Sequence, residues 1–187
     1  YNIEREGIYI VDPLYNYPQK KYMFHSFTTS LKGILSGKFL NLGKLDKHIS
    51  SIFTQELLDV AEYRYQLLPG KNVSEQERFK VAENLLEEYS KAKLVITSRI
   101  HCALPCLAMG TPVIYINGFD SIIDTCRFDG IIDLFNRIDV NPKTGEFTSN
   151  FNLEGYKIGV NTIVKNKNDY LKLANHMKNV CQGFAEN

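Results

Sequence analysis

The chain reads as an α/β domain built on a parallel sheet, and three observations carry that reading. Between residues 75 and 116 helical and strand patterns alternate, in the order helix, strand, helix, strand. Two short β-branched runs, Leu94-Val95-Ile96-Thr97 and Val113-Ile114-Tyr115-Ile116, have the composition of buried strands. At 187 residues, 44% hydrophobic and 23% charged, the chain is large enough for one domain with its own core and has the make-up of a soluble globular protein.

Taken in order, Ile8-Tyr9-Ile10-Val11 before Asp12-Pro13 predicts a buried strand ending in a turn. Residues 13–48 are less regular and rich in Tyr, Lys and Gly. Ile49 to Thr54, preceded by Lys47-His48, predicts a second strand, and Gln55 to Leu68 a helix that stops before Pro69-Gly70. Ser74-Glu75-Gln76-Glu77 has the capping-box spacing, in which Ser and Glu satisfy each other's backbone donors at a helix start. Phe79, Ala82, Leu86 and Tyr89 then recur at three- and four-residue steps and predict one apolar face, with Glu83, Glu87 and Glu88 in solvent. The run from Ile100 to Met109 predicts a buried helix with Gly110 at its C-terminal cap and Pro112 just beyond. Residues 141–163, rich in Asn, Gly and Thr, predict a long surface excursion, and a closing helix is expected from about Lys167 to Cys181. There is no internal repeat and no low-complexity tract.

A net charge of +1 gives no broad electrostatic case for nucleic acid or an anionic membrane, so any anion site must be local. No apolar run reaches the ~18 residues of a membrane span. The polar start, Tyr1-Asn2-Ile3-Glu4, lacks an initiator Met and does not read as a signal peptide, and we expect the chain to be a piece of a longer protein. Of Cys102, Cys106, Cys126 and Cys181, the first two lie four residues apart in an apolar helical run. They read as small buried hydrophobes, since no second cysteine pair completes a zinc site.

The turn after Thr97 is the candidate site. In open parallel sheets ligands sit beyond the carboxyl ends of the strands. The following helix offers unpaired N–H groups and a partial positive charge there. Ser98 is expected to cap that helix, Arg99 carries a planar fork suited to phosphate or carboxylate, and an imidazole such as His101 can donate a proton near neutral pH. The alternatives are an ion pair of Arg99 with Asp12 or Glu83, and a hydrogen-bonded core role for His101. Two cationic side chains at a helix N-terminus oppose its dipole, however, and call for a counter-anion.

These residues carry a family resemblance. Glu77-Arg78-Phe79, Ala82, Leu85-Leu86, Tyr89, the run Ala92 to Cys106 with Thr97-Ser98-Arg99-Ile100-His101 at its centre, and Gly110-Thr111-Pro112-Val113-Ile114 resemble the C-terminal half of the polysaccharide pyruvyl transferases. Arg127-Phe128-Asp129-Gly130 is similar to the segment that follows in related members. The resemblance implies a Rossmann-like parallel sheet flanked by helices, one half of a GT-B fold. Residues 1–187 would then be a single domain, the C-terminal half of a two-domain enzyme whose N-terminal domain is not in this chain. It implies transfer of pyruvate from phosphoenolpyruvate to two hydroxyls of a sugar in a capsular, exopolysaccharide or other cell-surface precursor, forming a ketal. The acceptor would be free, nucleotide-linked or lipid-linked. Phosphoenolpyruvate is the co-substrate, and neither cofactor nor metal is implied. The expected location is the cytoplasm, including the inner face of the membrane. Ser98, Arg99 and Arg127 are candidates to hold phosphoenolpyruvate, with an ion pair to Asp124 or Asp129 the equal alternative for Arg127, and His101 is the candidate general acid.

One departure concerns Thr54-Gln55, which aligns where family members often carry Thr-His. His25 and His48 read as surface or structural, and Tyr9, Tyr15, Tyr17 and Tyr22 as packing or interface residues, with sugar stacking the minor option. Two other classes of function compete. A nucleotide-sugar glycosyltransferase would use the same helix N-terminus for a diphosphate, with Asp120 the nearest residue for a ribose. A non-catalytic interaction module would bind no anion.

Overall fold

The computed structural model describes residues 5–11, 49–64, 66, 73–118, 128–141, 144–153 and 157–186. His25, His48, Asp12, Asp120, Asp124, Cys126, Arg127 and the tyrosines at 15, 17 and 22 lie outside them. Their six strands are β1 (Ile8–Val11), β2 (Glu62–Arg64), β3 (Leu94–Thr97), β4 (Val113–Asn117), β5 (Asn136–Val140) and β6 (Phe147–Ser149). The helices are α1 (Gln55–Val60), α2 (Glu75–Lys91), α3 (Ile100–Ala108) and α4 (Tyr170–Ala185). The strands form one sheet in the order β2-β1-β3-β4-β5-β6, with every pairing parallel except β5 with β6. The predicted parallel α/β sheet is therefore present, and its order is that of a doubly wound, Rossmann-like fold.

Strand alternation divides the core in two. Ile8, Ile10, Leu94, Ile96, Ile114, Ile116, Ile138 and Val140 point to one face, where Ile49, Ile52, Phe53, Leu57 and Leu58 cover them. Val11, Val95, Val113 and Tyr115 point to the other, under Tyr89 of α2 and Ile100, Ala103, Cys106 and Leu107 of α3. All four residues of β3 are buried, so Leu94-Val95-Ile96 reads as a continuous apolar run rather than an alternating one, with Thr97 the buried polar end.

The predicted strand at 49–54 is a correction. Residues 49–52 are helical, and Phe53 makes a single parallel bridge to Ile158. The apolar residues Ile49, Ile52 and Phe53 stand at i, i+3 and i+4, the helical spacing, and all three are buried. The helix predicted for 55–68 ends at Val60: Ala61 is extended, and Glu62-Tyr63-Arg64 pairs with β1 as the edge strand. The surface excursion predicted for 141–163 is also corrected. It contains β6, and Ile158 is fully buried.

The capping box of α2 is present, with the Glu77 N–H donating to Ser74 Oγ and the Ser74 N–H donating to Glu77. Its predicted apolar face is buried only at its C-terminal end. Tyr89 is 2% exposed, whereas Phe79 is 71% and Leu86 41% exposed. α4 starts later and ends later than expected, at Tyr170 and Ala185, and none of its residues is buried.

α3 ends as expected. Gly110 has φ +69°, the Gly110 N–H donates to the Leu107 carbonyl and the Thr111 N–H to the Cys106 carbonyl, which is the Schellman pattern. Arg5 secures the same end. Its guanidinium donates to the Ser90 carbonyl, the Met109 carbonyl and Thr111 Oγ1, tying the C-termini of α2 and α3 to the lead-in of β1.

Two predictions follow the local chemistry. Ser74→Ala should lower stability by about 1 kcal/mol in urea unfolding, the usual cost of a lost N-cap. Hydrogen bonds from the Ser74 backbone and hydroxyl hold the Glu77 carboxyl below its usual range. The folded form thus favours the ionised side chain, so this stabilisation is complete above the ordinary carboxylate range and fades as pH falls through the lowered value. The wild type should lose more stability on acidification than Glu77→Gln. Separately, Gly118 has φ +106° and a Cβ there would overlap the Val140 carbonyl oxygen. Gly118→Ala should cost at least about 2 kcal/mol by the same measurement, combining left-handed strain with a backbone clash.

Candidate functional site

The strand order decides where the candidate turn lies. From β1 the chain moves outward to β2, then returns across β1 to β3 and continues through β4 to β5. The direction reverses between β1 and β3, which are direct neighbours with Val11 opposite Thr97. This is the switch point at which doubly wound sheets open a crevice beyond their strand ends. Ser98-Arg99-Ile100-His101 leaves β3 at that point and enters α3.

Locally, the turn is held by Thr97. This residue is fully buried, and its hydroxyl accepts a 3.0 Å hydrogen bond from the Arg99 N–H. Arg99, in extended geometry, is the N-cap of α3, and its side chain makes no capping bond. The expected Ser98 cap is therefore corrected: Ser98 sits one residue too early, and the bond that shapes the turn comes from Thr97 instead. The Arg99 carbonyl accepts from the N–H groups of Cys102 and Ala103. The N–H groups of Ile100 and His101 have no acceptor among the described residues, leaving two donors at the helix N-terminus for an anion.

Ser98 and Arg99 are half-buried at the mouth of the turn, and His101 is exposed on the first turn of α3. The core-histidine alternative is thereby excluded. Pro105 has no N–H, so the His101 carbonyl lacks its usual intrahelical donor. The structure thus brings Ser98, Arg99 and His101 to one edge.

Cys102 and Cys106 are fully buried beneath this turn. Their mutual hydrogen bond, and then burial, push the Cys106 thiol far above its ordinary range. Both are buried like the small hydrophobes expected, and the raised Cys106 thiol is not a thiolate nucleophile. Among the described residues no His, Cys, Asp and Glu cluster suited to a metal ion occurs.

Thr54 caps α1 by accepting from the Leu57 N–H, and Gln55 is exposed, with its amide donating to Asp59 at 2.8 Å. This pair therefore begins a helix rather than following a strand. Tyr9 packs edge-to-face on Tyr89 at 6.3 Å, and Arg64 lies over its ring at 5.2 Å, in line with the packing role expected for it.

Two features of this edge were not read from the sequence. Thr97 shapes the turn, and a threonine directly before Ser-Arg at a strand end was its only signal. A polar ledge also stands one strand over. Asn117, two residues beyond the partner of Thr97, donates to Asp139 at 2.7 Å, and Arg137 donates to the other Asp139 oxygen at 2.9 Å. Partial burial works against the Arg137 charge, but Asp139 and Asp133 outweigh it and hold the guanidinium above its usual range. Only the register of β4 against β5 assembles this ledge, so no local signal announced it.

The family model for polysaccharide pyruvyl transferase matches residues 9–121. That span covers more than half of the chain, from β1 through the end of β4, and contains the whole candidate turn. The chain belongs to the polysaccharide pyruvyl transferase family. No curated protein and no solved structure matches it. The family match extends upstream of the residues that carried the resemblance and includes both strands of the switch point. The segment Arg127 to Gly130 falls beyond it.

Thr97→Val tests the local anchor of this pyruvyl transferase family turn. The isosteric change removes the acceptor for the Arg99 N–H, and a loss of about 1 kcal/mol in stability is expected. Backbone amide signals of residues 98–101 should shift in NMR spectra while those of β5 stay in place.

Proposed function

We propose that this chain forms the phosphoenolpyruvate-binding half of a ketal-forming pyruvyl transferase. The observation that supports it most is the position of Thr97-Ser98-Arg99-Ile100-His101 at the switch point, within the span of the family match. Phosphoenolpyruvate carries a phosphate and a carboxylate, so it calls for two cationic contacts and several donors. Arg99 and Arg127 are assigned to the charges. Ser98 and the N–H groups of Ile100 and His101 are assigned to phosphate oxygens.

His101 is the general acid. Its proton goes to the methylene carbon, which becomes the methyl group, and the adjacent carbon becomes electrophilic. One acceptor hydroxyl adds there, the carbon–oxygen bond to phosphate breaks, and a second hydroxyl completes the ketal. The two hydroxyl protons are released, one restoring His101 and the other leaving with inorganic phosphate. Fixed charge around the developing cation and the departing phosphate supplies the remaining stabilisation.

The acceptor is a sugar of a cell-surface, capsular or exopolysaccharide precursor, and the second half of the cleft comes from an N-terminal domain of GT-B type. Among the described residues no helix is long and apolar enough to cross a membrane. We place the reaction in the cytoplasm, at the inner membrane face when the acceptor is lipid-linked.

The test is phosphate release by the full-length protein given phosphoenolpyruvate and candidate saccharides. His101→Ala should slow it by about 10²- to 10⁴-fold, the usual contribution of a positioned acid. Arg99→Ala should reduce kcat/KM by about 10- to 100-fold, and Arg99→Lys should recover only part of it, because an ammonium cannot form the bidentate contact. Wild-type rates in both alanine variants would overturn the assignment. Binding of UDP or GDP with no binding of phosphoenolpyruvate would replace it with a nucleotide-sugar transferase.

A further inference from the structure

We propose that a second site, at the opposite edge of the sheet, binds an acidic saccharide. A cavity of about 720 Å³ lies there, lined by Glu56, Asn136, Phe151, Asn152, Lys157 and Lys165 together with residues 159–164. Its volume falls within the range of ~300–1,000 Å³ typical of small-molecule pockets.

Its place in the fold separates it from the α3 turn. Asn136 is the first residue of β5, at the amino end of the parallel strands. The 157–166 segment straps that end of the sheet. Lys93, just before β3, donates to the Val160 carbonyl, and Asn166 bridges the Val113 N–H and the Thr111 carbonyl before β4. The α3 N-terminus lies beyond the other end of the same strands.

The lining has the chemistry of a sugar site. Asn136 and Asn152 offer amides that donate and accept, and Glu56 accepts, which suits hydroxyls that do both. Phe151 offers an apolar face to the C–H surface of a pyranose. Asn136 shows that the site is built into the core. It is 3% exposed, its Nδ2 donates to the Lys165 carbonyl at 2.9 Å, and its Oδ1 accepts no hydrogen bond from the described residues.

Charge selects among sugars. Lys157, Lys165 and Glu56 have no ion-pair partner among the described residues, so the described lining carries a net positive charge on a nearly neutral chain. A saccharide bearing a carboxylate fits this balance better than a neutral one. Such a site would hold a stretch of the polymer distant from the reacting sugar. The inference rests on the family's saccharide acceptor and not on the chemistry assigned to Arg99 and His101.

The experiment is an NMR titration of the full chain with methyl β-D-glucuronide and, separately, methyl β-D-glucoside. The glucuronide should shift the Asn136 side-chain amide signals and the backbone signals of residues 157–165. It should bind about tenfold tighter than the glucoside, from two screened charge contacts of about threefold each. The double variant Lys157→Ala, Lys165→Ala changes only exposed side chains. It should lose this preference while keeping its circular dichroism and its shifts at residues 98–101 on adding phosphoenolpyruvate. Equal affinity for the two glycosides, no shift in the 157–165 signals at millimolar concentration, or shifts confined to residues 98–101 would each overturn the proposal.

Discussion

The parallel pairing of β3 with β1 is the constraint on which the candidate site depends. β3 is buried along its whole length and has a parallel neighbour on each side. Fully burying each of its apolar side chains contributes about 1.5–3 kcal/mol, so its position is not negotiable. Because β1 and not β2 is the inner neighbour, the crossover connections diverge at the β1–β3 boundary. The end of β3 therefore lies at the switch point, and the chain leaving Thr97 turns there into α3. That turn, rather than any other in the sheet, carries the arginine and the histidine.

The turn is held from both ends of the helix it starts. At the near end the buried Thr97 hydroxyl orients the Arg99 N–H. At the far end Gly110 closes a Schellman motif, and Arg5 gathers carbonyls from two helix termini. Between them Cys102, Ala103, Cys106 and Leu107 lock α3 against the sheet. A helix fixed this firmly keeps its first-turn N–H groups at a constant place, and preorganised donors are what an anion site requires. The apolar packing below the turn thus fixes the polar groups above it.

The two edges of the sheet divide the electrostatics. Beyond the carboxyl ends stand a helix N-terminus, Arg99 and His101, beside a ledge whose Asp139 is already engaged by Asn117 and Arg137. Beyond the amino ends lies a groove with two lysines, a glutamate and buried amide surface. A net charge of +1 conceals both, because each is a local arrangement within a balanced chain. The fold thus keeps the two surfaces at opposite ends of the same strands.

The sequence by itself determined what depends on neighbours along the chain. The Ser74–Glu77 capping box, the Gly110 helix end, the apolar runs of β3 and β4 and the Thr97-to-His101 turn are set by contacts a few residues apart, where period and residue type carry the information. The same locality misled at Ile49-Ser50-Ser51-Ile52-Phe53, whose branched residues resemble a strand although their spacing is helical. It misled at Ser98, because the helix starts one residue later and Arg99 occupies the N-cap. It also misread the 141–163 segment, whose polar composition hides the buried Ile158. Only the tertiary structure decided the rest. Strand order set the turn at the switch point, register joined Asn117 to Asp139 and Arg137, and the strap at 157–166 closed a groove over Asn136. Each brings together residues far apart in the chain, and what selects such pairings is the joint burial of both sheet faces, a quantity that no local window of sequence contains.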